Sequence, residues 1–400
     1  MERTLGWVSR WPWYVVPLVI FLLSRVVDTA ILLHLAPTQD PALLEVRLVP
    51  TLVDPPTYLH VIQNWDGQWY RNIAEHGYPT TLPTLRGLTV ENQWAFYPLY
   101  PALVALVMLT GASFGVGASV VSLACGAGAV CVLDRMLTRT AGRFAAVLGV
   151  LALCMCPTGL LFQAAYTESL ALLLILAALW CLQQRRYGAV LALGLLLSVA
   201  RPVVFVLALV VVVHGVVRYR AARRGEDTFS GREQIRVAAL AGAVAASFGL
   251  WPLAAGLVTG NPAAYFLTRG AWSRHSSAHW SSRLGQALTF ASTSDVLVTF
   301  GVLALVAFLV WRRGARRWGP ELRTWVLAYP VYVFAATRPT TSLLRYLMLT
   351  VAWWPFPDVA VSSRRVRVAL CVLVFAVGAV LQYFWMHWYY IIAPGYHGYP

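Results

Sequence analysis

The sequence contains no lysine, and charge of either sign is sparse: 12% of its 400 residues are charged. Soluble domains carry about 25% charged residues, so a soluble globular protein is excluded. Acids are the rarest charge, 16 against 31 arginines, and the formal net charge is +15. Six cysteines, at 125, 131, 154, 156, 181 and 371, all fall in apolar stretches. They show neither metal-ligand spacing nor the pattern of an extracellular disulfide framework. There is no GxxxxGK[ST] phosphate loop, no G-x-S-x-G elbow and no defensible Ser/His/Asp set, which removes the common NTPase and hydrolase signatures. No low-complexity tract and no long repeat are visible.

What is present is apolar. Hydrophobic residues make up 59% of the chain, and mean hydropathy is +0.65. At about 20 apolar residues per span, this is material for about ten crossings. The expected fold class is an all-α polytopic membrane protein, one membrane-embedded unit over 1–400. The arginines sit in short clusters between apolar runs, the pattern of cytoplasmic loops rather than of a nucleic-acid surface. Arg3 and Arg10 precede an apolar run at 13–35, read as an uncleaved first span with its N-terminus inside. Residues 36–93 are less hydrophobic and form a first extracytoplasmic loop. Clusters at 135–143, 185–186, 218–236, 312–323 and 364–367 belong inside. Breaks at 157–168, 201–202 and 337–345, and a second loop at 259–294, then belong outside. Residues 96–133 hold two apolar runs where the flanking charges demand an odd number of crossings, so one piece is re-entrant or interfacial. About ten to twelve membrane helices are expected. Non-helical backbone at membrane depth survives where protein buries it or where it lines a wet cavity. Prolines 157, 202 and 339 at the breaks fit an outward cavity, or simply kinked helices.

Three acids, Asp28, Asp66 and Glu168, fall in or beside membrane-embedded segments on the outer side, where charge is costly and usually functional. Asp66 opens a segment in which Trp65, Trp69 and Ile73 recur at i, i+4, i+8 and Gly77 and Pro79 stop a helix. This predicts a short interfacial helix with tryptophans at headgroup level. Partial desolvation there makes a carboxylate a better base; an acid stabilising its own helix start is the plainer alternative. Glu168 is the only carboxylate between Asp134 and Glu226, and it faces the cavity at a helix start or caps that helix. Arg201, Arg338 and Arg345 at the breaks, and Arg269, Arg274 and Arg283 in the outer loop, oppose the positive-inside trend. A lipid phosphate would partner them, as would Asp28, Glu168 or Asp295. His275 and His279 lie at i, i+4 without an acidic third ligand, so no metal and no cofactor is expected.

The Trp65-Asp66 pair is followed by Ile73-Ala74 and Gly77-Tyr78, then Phe96-Tyr97-Pro98-Leu99-Tyr100-Pro101, then Tyr166-Thr167-Glu168-Ser169. In order and spacing, up to about Arg201, this resembles the PIG-V family, the GPI mannosyltransferase 2 family with its actinobacterial relatives. Later similarity is thinner: Gly260-Asn261-Pro262, Trp272 and Arg345-Tyr346. The resemblance implies a GT-C glycosyltransferase fold. It also implies inverting transfer of mannose from a polyprenyl-phosphate-linked donor on the outer membrane face. Asp66 matches the family's essential acidic position and Glu168 its second. Where eukaryotic members carry a Gln before an aromatic pair, this sequence has Thr268-Arg269-Gly270-Ala271-Trp272. With the lysine-free, Ala/Val-rich composition, that departure favours a bacterial glycolipid, lipoglycan or protein as acceptor.

Such a transfer needs a single base on the acceptor hydroxyl, not the paired carboxylates of most glycosidases. Asp66 is the candidate base, and Glu168 would orient the acceptor or an arginine. Arg345, Arg338 and Arg201 are the candidates for the donor phosphate, since guanidinium groups in a dry site would stabilise its growing charge. Trp65, Gln68, Trp69, Tyr70, Tyr166, Arg269 and Trp272 are candidates for sugar and acceptor contacts. The rival readings are a transferase for another lipid-linked sugar, arabinose or glucose, and a transporter or flippase for a lipid-linked anion. The related halves that transporters usually carry are not visible.

Overall fold

In lipid, a chain must satisfy its own backbone, which leaves apolar runs little choice but the helix. The computed structural model describes residues 12–40, 56–275, 293–336, 342–350 and 363–393. Helix α1 (Val15–Leu35) is followed by two helices of the first loop, α2 (Tyr58–Val61) and α3 (Asp66–His76). A small antiparallel hairpin, β1 (Thr84–Leu85) and β2 (Leu88–Thr89), sets Leu85 opposite Leu88. Then come α4 (Leu99–Met108), α5 (Phe114–Ala141), α6 (Arg143–Cys154), α7 (Glu168–Gln183), α8 (Tyr187–Ser198) and α9 (Val204–Arg223). Next are α10 (Gly231–Ala246), α11 (Leu250–Thr259), α12 (Ala264–His275), α13 (Thr293–Trp311) and α14 (Gly319–Ala336). The last are α15 (Leu343–Leu347) and α16 (Arg364–Trp385), which runs into a π-turn, Met386–Tyr390.

Among the described residues, five helical stretches are long and apolar enough to cross a bilayer: 15–38, 114–141, 204–223, 231–259 and 364–390. The pair α13 and α14, bent by 78°, would make a sixth. The lower end of the expected ten to twelve is reached only if that pair and α4, α6, α7 and α8, each of 10–17 residues, are all counted as well. At 1.5 Å per residue, the ten residues of α4 reach about 15 Å, half a hydrocarbon core. Within 96–133, α5 is long and apolar enough to cross and α4 is not. The exposed apolar faces agree with an integral membrane protein: α16 presents Val372, Leu373, Val377, Val380, Leu381 and Phe384 outward. The helix α7 is the opposite case. It is buried on nearly every side because it is hydrophobic all round, and it packs chiefly on α5 and α8.

The break between α6 and α7 is non-helical apart from one turn, Gly159–Phe162. Its main-chain oxygens are satisfied from three other helices. Arg25 of α1 donates to Gly159 O at 2.6 Å and Cys154 O at 3.1 Å, and Gln382 of α16 donates to Cys154 O at 3.1 Å. Ser119 and Ser122 of α5 donate to Gln163 O and Ala164 O at 3.2 and 2.7 Å. The break is therefore buried in protein, one of the two settings in which such backbone persists. Asp28, a candidate from the sequence, belongs to this scaffold. It is fully buried and lies 2.7 Å from Arg25 Nη1, so it holds the arginine that holds the break.

Candidate functional site

The first loop reaches the bundle through α2 and α3. Ala165 N–H donates to Ile62 O at 2.9 Å, and Gly67 lies so close to Ala165 that a Cβ on it would sit 3.1 Å from the Ala165 Cβ. This docking brings Asp66, at the start of α3, against the break that ends at Glu168. The approach strains the chain: Trp65, the residue before α3, has φ 63° and ψ −118°, a region that costs a non-glycine residue about 1–3 kcal/mol. The predicted stop is seen at the other end, where Gly77 takes φ 78°, a conformation open to glycine at little cost.

Two carboxylates and two guanidiniums meet here from distant parts of the sequence. Arg345 Nη1 lies 2.5 Å from Asp66 Oδ2, and Arg345 Nε lies 3.5 Å from Glu168 Oε1. Arg201 Nη1 reaches the same Glu168 oxygen at 2.8 Å. The four formal charges cancel. Glu168 and Arg345 are buried, Arg201 nearly so, and Asp66 is the open member with 29% of its side chain exposed. The arginines also lie over aromatic faces: Arg345 is 5.2 Å from the Tyr166 ring and 5.0 Å from the Tyr346 ring, and Arg201 is 5.7 Å from Tyr346. Such contacts favour a desolvated guanidinium. Satisfaction is incomplete. Both Glu168 oxygens, Arg201 Nη1, Arg345 Nε and the Tyr166 hydroxyl are buried without an aligned hydrogen bond. Glu168, one of the intramolecular partners the sequence offers these arginines, pairs with both Arg201 and Arg345. Asp28 is taken by Arg25, and Asp295 and Arg338 lie outside the described side chains.

An aromatic wall stands beside Asp66. Trp69 stacks on Phe96 (5.5 Å, 14°), and Trp272 meets Trp69 at 5.2 Å and Phe96 at 5.5 Å, both edge-on. The Trp272 indole N–H is buried without a partner. Its helix, α12, is moored by Asn92, which donates to Thr268 Oγ1 at 3.0 Å. Arg269 sits on the exposed side of that helix. Tyr70 packs edge-on against Phe96 and Tyr100, and its hydroxyl is 3.4 Å from Thr167 Oγ1; burial pushes that hydroxyl well above its ordinary pKa, so it stays protonated. Trp65, Gln68 and Tyr166 are buried, and the Tyr166 ring lies under Arg345. The tryptophans expected at headgroup level thus divide: Trp65 is internal, and Trp69 belongs to the wall. His275 and His279 fall outside the described side chains. Among the described residues, no three His, Cys, Asp or Glu side chains group as metal ligands.

Two participants went unassigned in the sequence reading. Phe96 was legible only as part of a motif, without a role. The tie from Asn64 and Trp65 to Tyr390, 325 residues away, leaves no local signal.

A second polar cluster lies at the far ends of α7 and α9, where the arginines gather. Arg218 donates to Asp227 Oδ2 at 2.8 Å, to the Tyr187 hydroxyl at 2.8 Å and to Glu233. Tyr187 donates to Glu233 at 3.0 Å, and His214 Nδ1 meets Glu321 Oε1 at 2.6 Å. The Arg218 hydrogen bond holds the Asp227 carboxyl well below the usual carboxylate range.

Comparison with protein-family models and with curated proteins finds no match. Among solved structures, the chain is similar to the archaeal oligosaccharyltransferase AglB from Archaeoglobus fulgidus in complex with an inhibitory peptide and a dolichol-phosphate. The identity is 11% over 96% of this chain and 56% of that one, with a TM-score of 0.49. It is also similar to the Archaeoglobus fulgidus oligosaccharyltransferase complex with Zn and sulfate, at 13% identity over 95% and 53% of the two chains, with a TM-score of 0.45. The chain spans about half the length of the structures it matches.

Proposed function

We propose that this protein is an inverting glycosyltransferase of the GT-C type. It moves mannose from a polyprenyl-phosphate-mannose lipid to a glycolipid, lipoglycan or protein acceptor at the extracytoplasmic side of the membrane. The observation that carries the reading is the meeting of Asp66, Glu168, Arg201 and Arg345 in one buried, charge-balanced group with an open carboxylate. The resemblance of the motif order to that of the PIG-V family is what favours mannose and a polyprenyl-phosphate donor. The arginine clusters at the opposite end of the bundle support the orientation through the positive-inside rule.

In this mechanism, the acceptor hydroxyl oxygen attacks the anomeric carbon as the carbon–oxygen bond to the lipid phosphate breaks. Asp66 takes the hydroxyl proton. The departing phosphate gains one negative charge, which Arg345 and Arg201 stabilise from fixed positions in a low-dielectric site. Arg345 has two tasks. While it pairs with Asp66, the carboxylate is occupied; a donor phosphate entering beside it competes for the guanidinium and frees the carboxylate for the acceptor. Glu168 anchors both arginines, so neither leaves the site when the anion does. The wall of Trp69, Phe96 and Trp272 offers apolar faces and one unused indole N–H to the acceptor sugar.

Deleting this chain from its host and profiling the lipids and glycans tests the reading. The expected result is loss of mannose from one glycolipid, lipoglycan or glycoprotein, with accumulation of its unmodified precursor. An unchanged profile contradicts it. Loss of arabinose or glucose instead would keep the chemistry and replace the sugar, and radiolabelled donor lipids offered in competition would identify which.

A further inference from the structure

The Trp65-Asp66 pair contains a tryptophan whose indole N–H is committed to the protein's own main chain. Trp65 is 4% exposed. Its indole N–H donates to the main-chain oxygen of Tyr390 at 2.7 Å. The neighbouring amide of Asn64 donates to the same oxygen at 3.3 Å and to Gln39 Oε1 at 2.7 Å. The acceptor of both bonds is a carbonyl of the last helical turn of α16, which has no partner within the helix. The helix ends in a π-turn, in which Ile391 N–H donates to Met386 O at 2.9 Å. A π-turn carries one more residue than an α-turn, and such turns are frequent at functional sites. The Tyr390 carbonyl, at the end of that turn, meets the first loop. The chain end continues the contact, with Asp40 N–H donating to Ile392 O at 2.8 Å.

Trp65 also bears the backbone strain at this site, with φ 63° and ψ −118°. Glycine takes positive φ freely, and a bulky residue there is a genuine outlier. Strain of this kind persists only where the surroundings over-determine the conformation. The surroundings here include the two hydrogen bonds to Tyr390, and the residue that follows is Asp66.

We propose that Trp65 is a positioning residue: its indole N–H, with the Asn64 amide, ties the start of α3 to the Tyr390 carbonyl of the C-terminal π-turn, and this tie fixes where the Asp66 carboxylate stands relative to Arg345. The inference rests on the reading of Asp66 as the base. It assigns the C-terminal turn a part in the reaction although no side chain of that turn touches substrate.

The test replaces Trp65 with 3-benzothienylalanine, which keeps the bicyclic ring and removes only the N–H, beside Trp65→Phe and Asp66→Asn in the full-length protein. Polyprenyl-phosphate-mannose is the donor, and membranes from the deletion host supply the acceptor. A misplacement of about 1 Å can cost on the order of 100-fold in rate. The expected result is a fall in kcat of that order for both Trp65 replacements, with the donor KM within about twofold of wild type and the analogue's Tm retained. Wild-type kcat in the analogue, with Asp66→Asn inactive, overturns the positioning role and leaves the proposed function standing, since a packing role needs only the ring. Full turnover in Asp66→Asn overturns both.

Discussion

Two polar clusters among the described residues, one at each end of α7, differ in how completely their groups are bonded. The helix spans 16 residues, so about 24 Å lies between them. Both contain arginines, carboxylates and a tyrosine. Around Arg218 every named group finds a hydrogen-bond partner, and the elements joined are the ends of regular helices. Around Arg345 the elements joined are helix breaks, the backbone is strained at Trp65, and several buried polar atoms lack aligned partners. Buried polar groups are nearly always satisfied, so the unpartnered atoms around Glu168 and Arg345, like the Asp28 carboxylate oxygens beside Arg25, are exceptions. Ion pairing alone does not separate the two clusters, because both have it.

If that contrast is right, substitutions at the two ends should fail differently. The largest effect is expected for Asp66→Asn, which keeps shape and removes the proton acceptor. Turnover should fall by about 100- to 10,000-fold with the protein still folded by circular dichroism and gel filtration. Arg345→Ala comes next. Transfer should drop about 100-fold or more, with the donor KM raised more than the acceptor KM, because the phosphate loses its fixed partner. Steady-state kinetics with each substrate varied in turn would show it, and unchanged donor kinetics would remove Arg345 from that role.

At the Arg218 end, Glu321→Gln weakens the bond to buried His214. It should cost about 1–3 kcal/mol in stability, read as a lowered Tm in detergent, with kcat unchanged. A change in kcat there would break the division between the two ends. The smallest effect is expected for Asp227→Asn. The Asp227 carboxyl is held down by Arg218, so its folded pKa lies below its unfolded one. A depressed carboxylate stabilises the fold above its unfolded pKa, about 3.9, and loses that contribution as pH falls through the lower folded value. The Tm difference between wild type and Asp227→Asn should therefore be present at neutral pH and shrink below about pH 4.

How far this was legible in the sequence follows from the range of the forces involved. Helix breaks are local, so Pro157, Gly77 and the Arg201-Pro202 dipeptide marked their places well: α3 stops at Gly77, and α8 and α9 part around Arg201. Acid scarcity narrowed the search to Asp28, Asp66 and Glu168, yet could not separate Asp28, which pairs with Arg25, from the two that meet Arg345. That distinction depends on Arg25 reaching Gly159 across 134 residues of chain, which no spacing encodes. The same limit hid the encounter of Asp66 with Arg345, 279 residues apart. The tryptophan stripe was correctly periodic but wrongly faced, because period tells that one side is apolar and not whether lipid or protein covers it. Trp65 turned inward to a carbonyl at the opposite end of the chain.

The most direct test is transfer by the purified protein in detergent, from radiolabelled polyprenyl-phosphate-mannose to acceptor extracted from the deletion host, with the anomeric configuration of the product read by NMR. A single displacement with Asp66 as base predicts labelled product whose configuration is opposite to the donor's. No transfer in detergent, or a product that retains the donor's configuration, would contradict it.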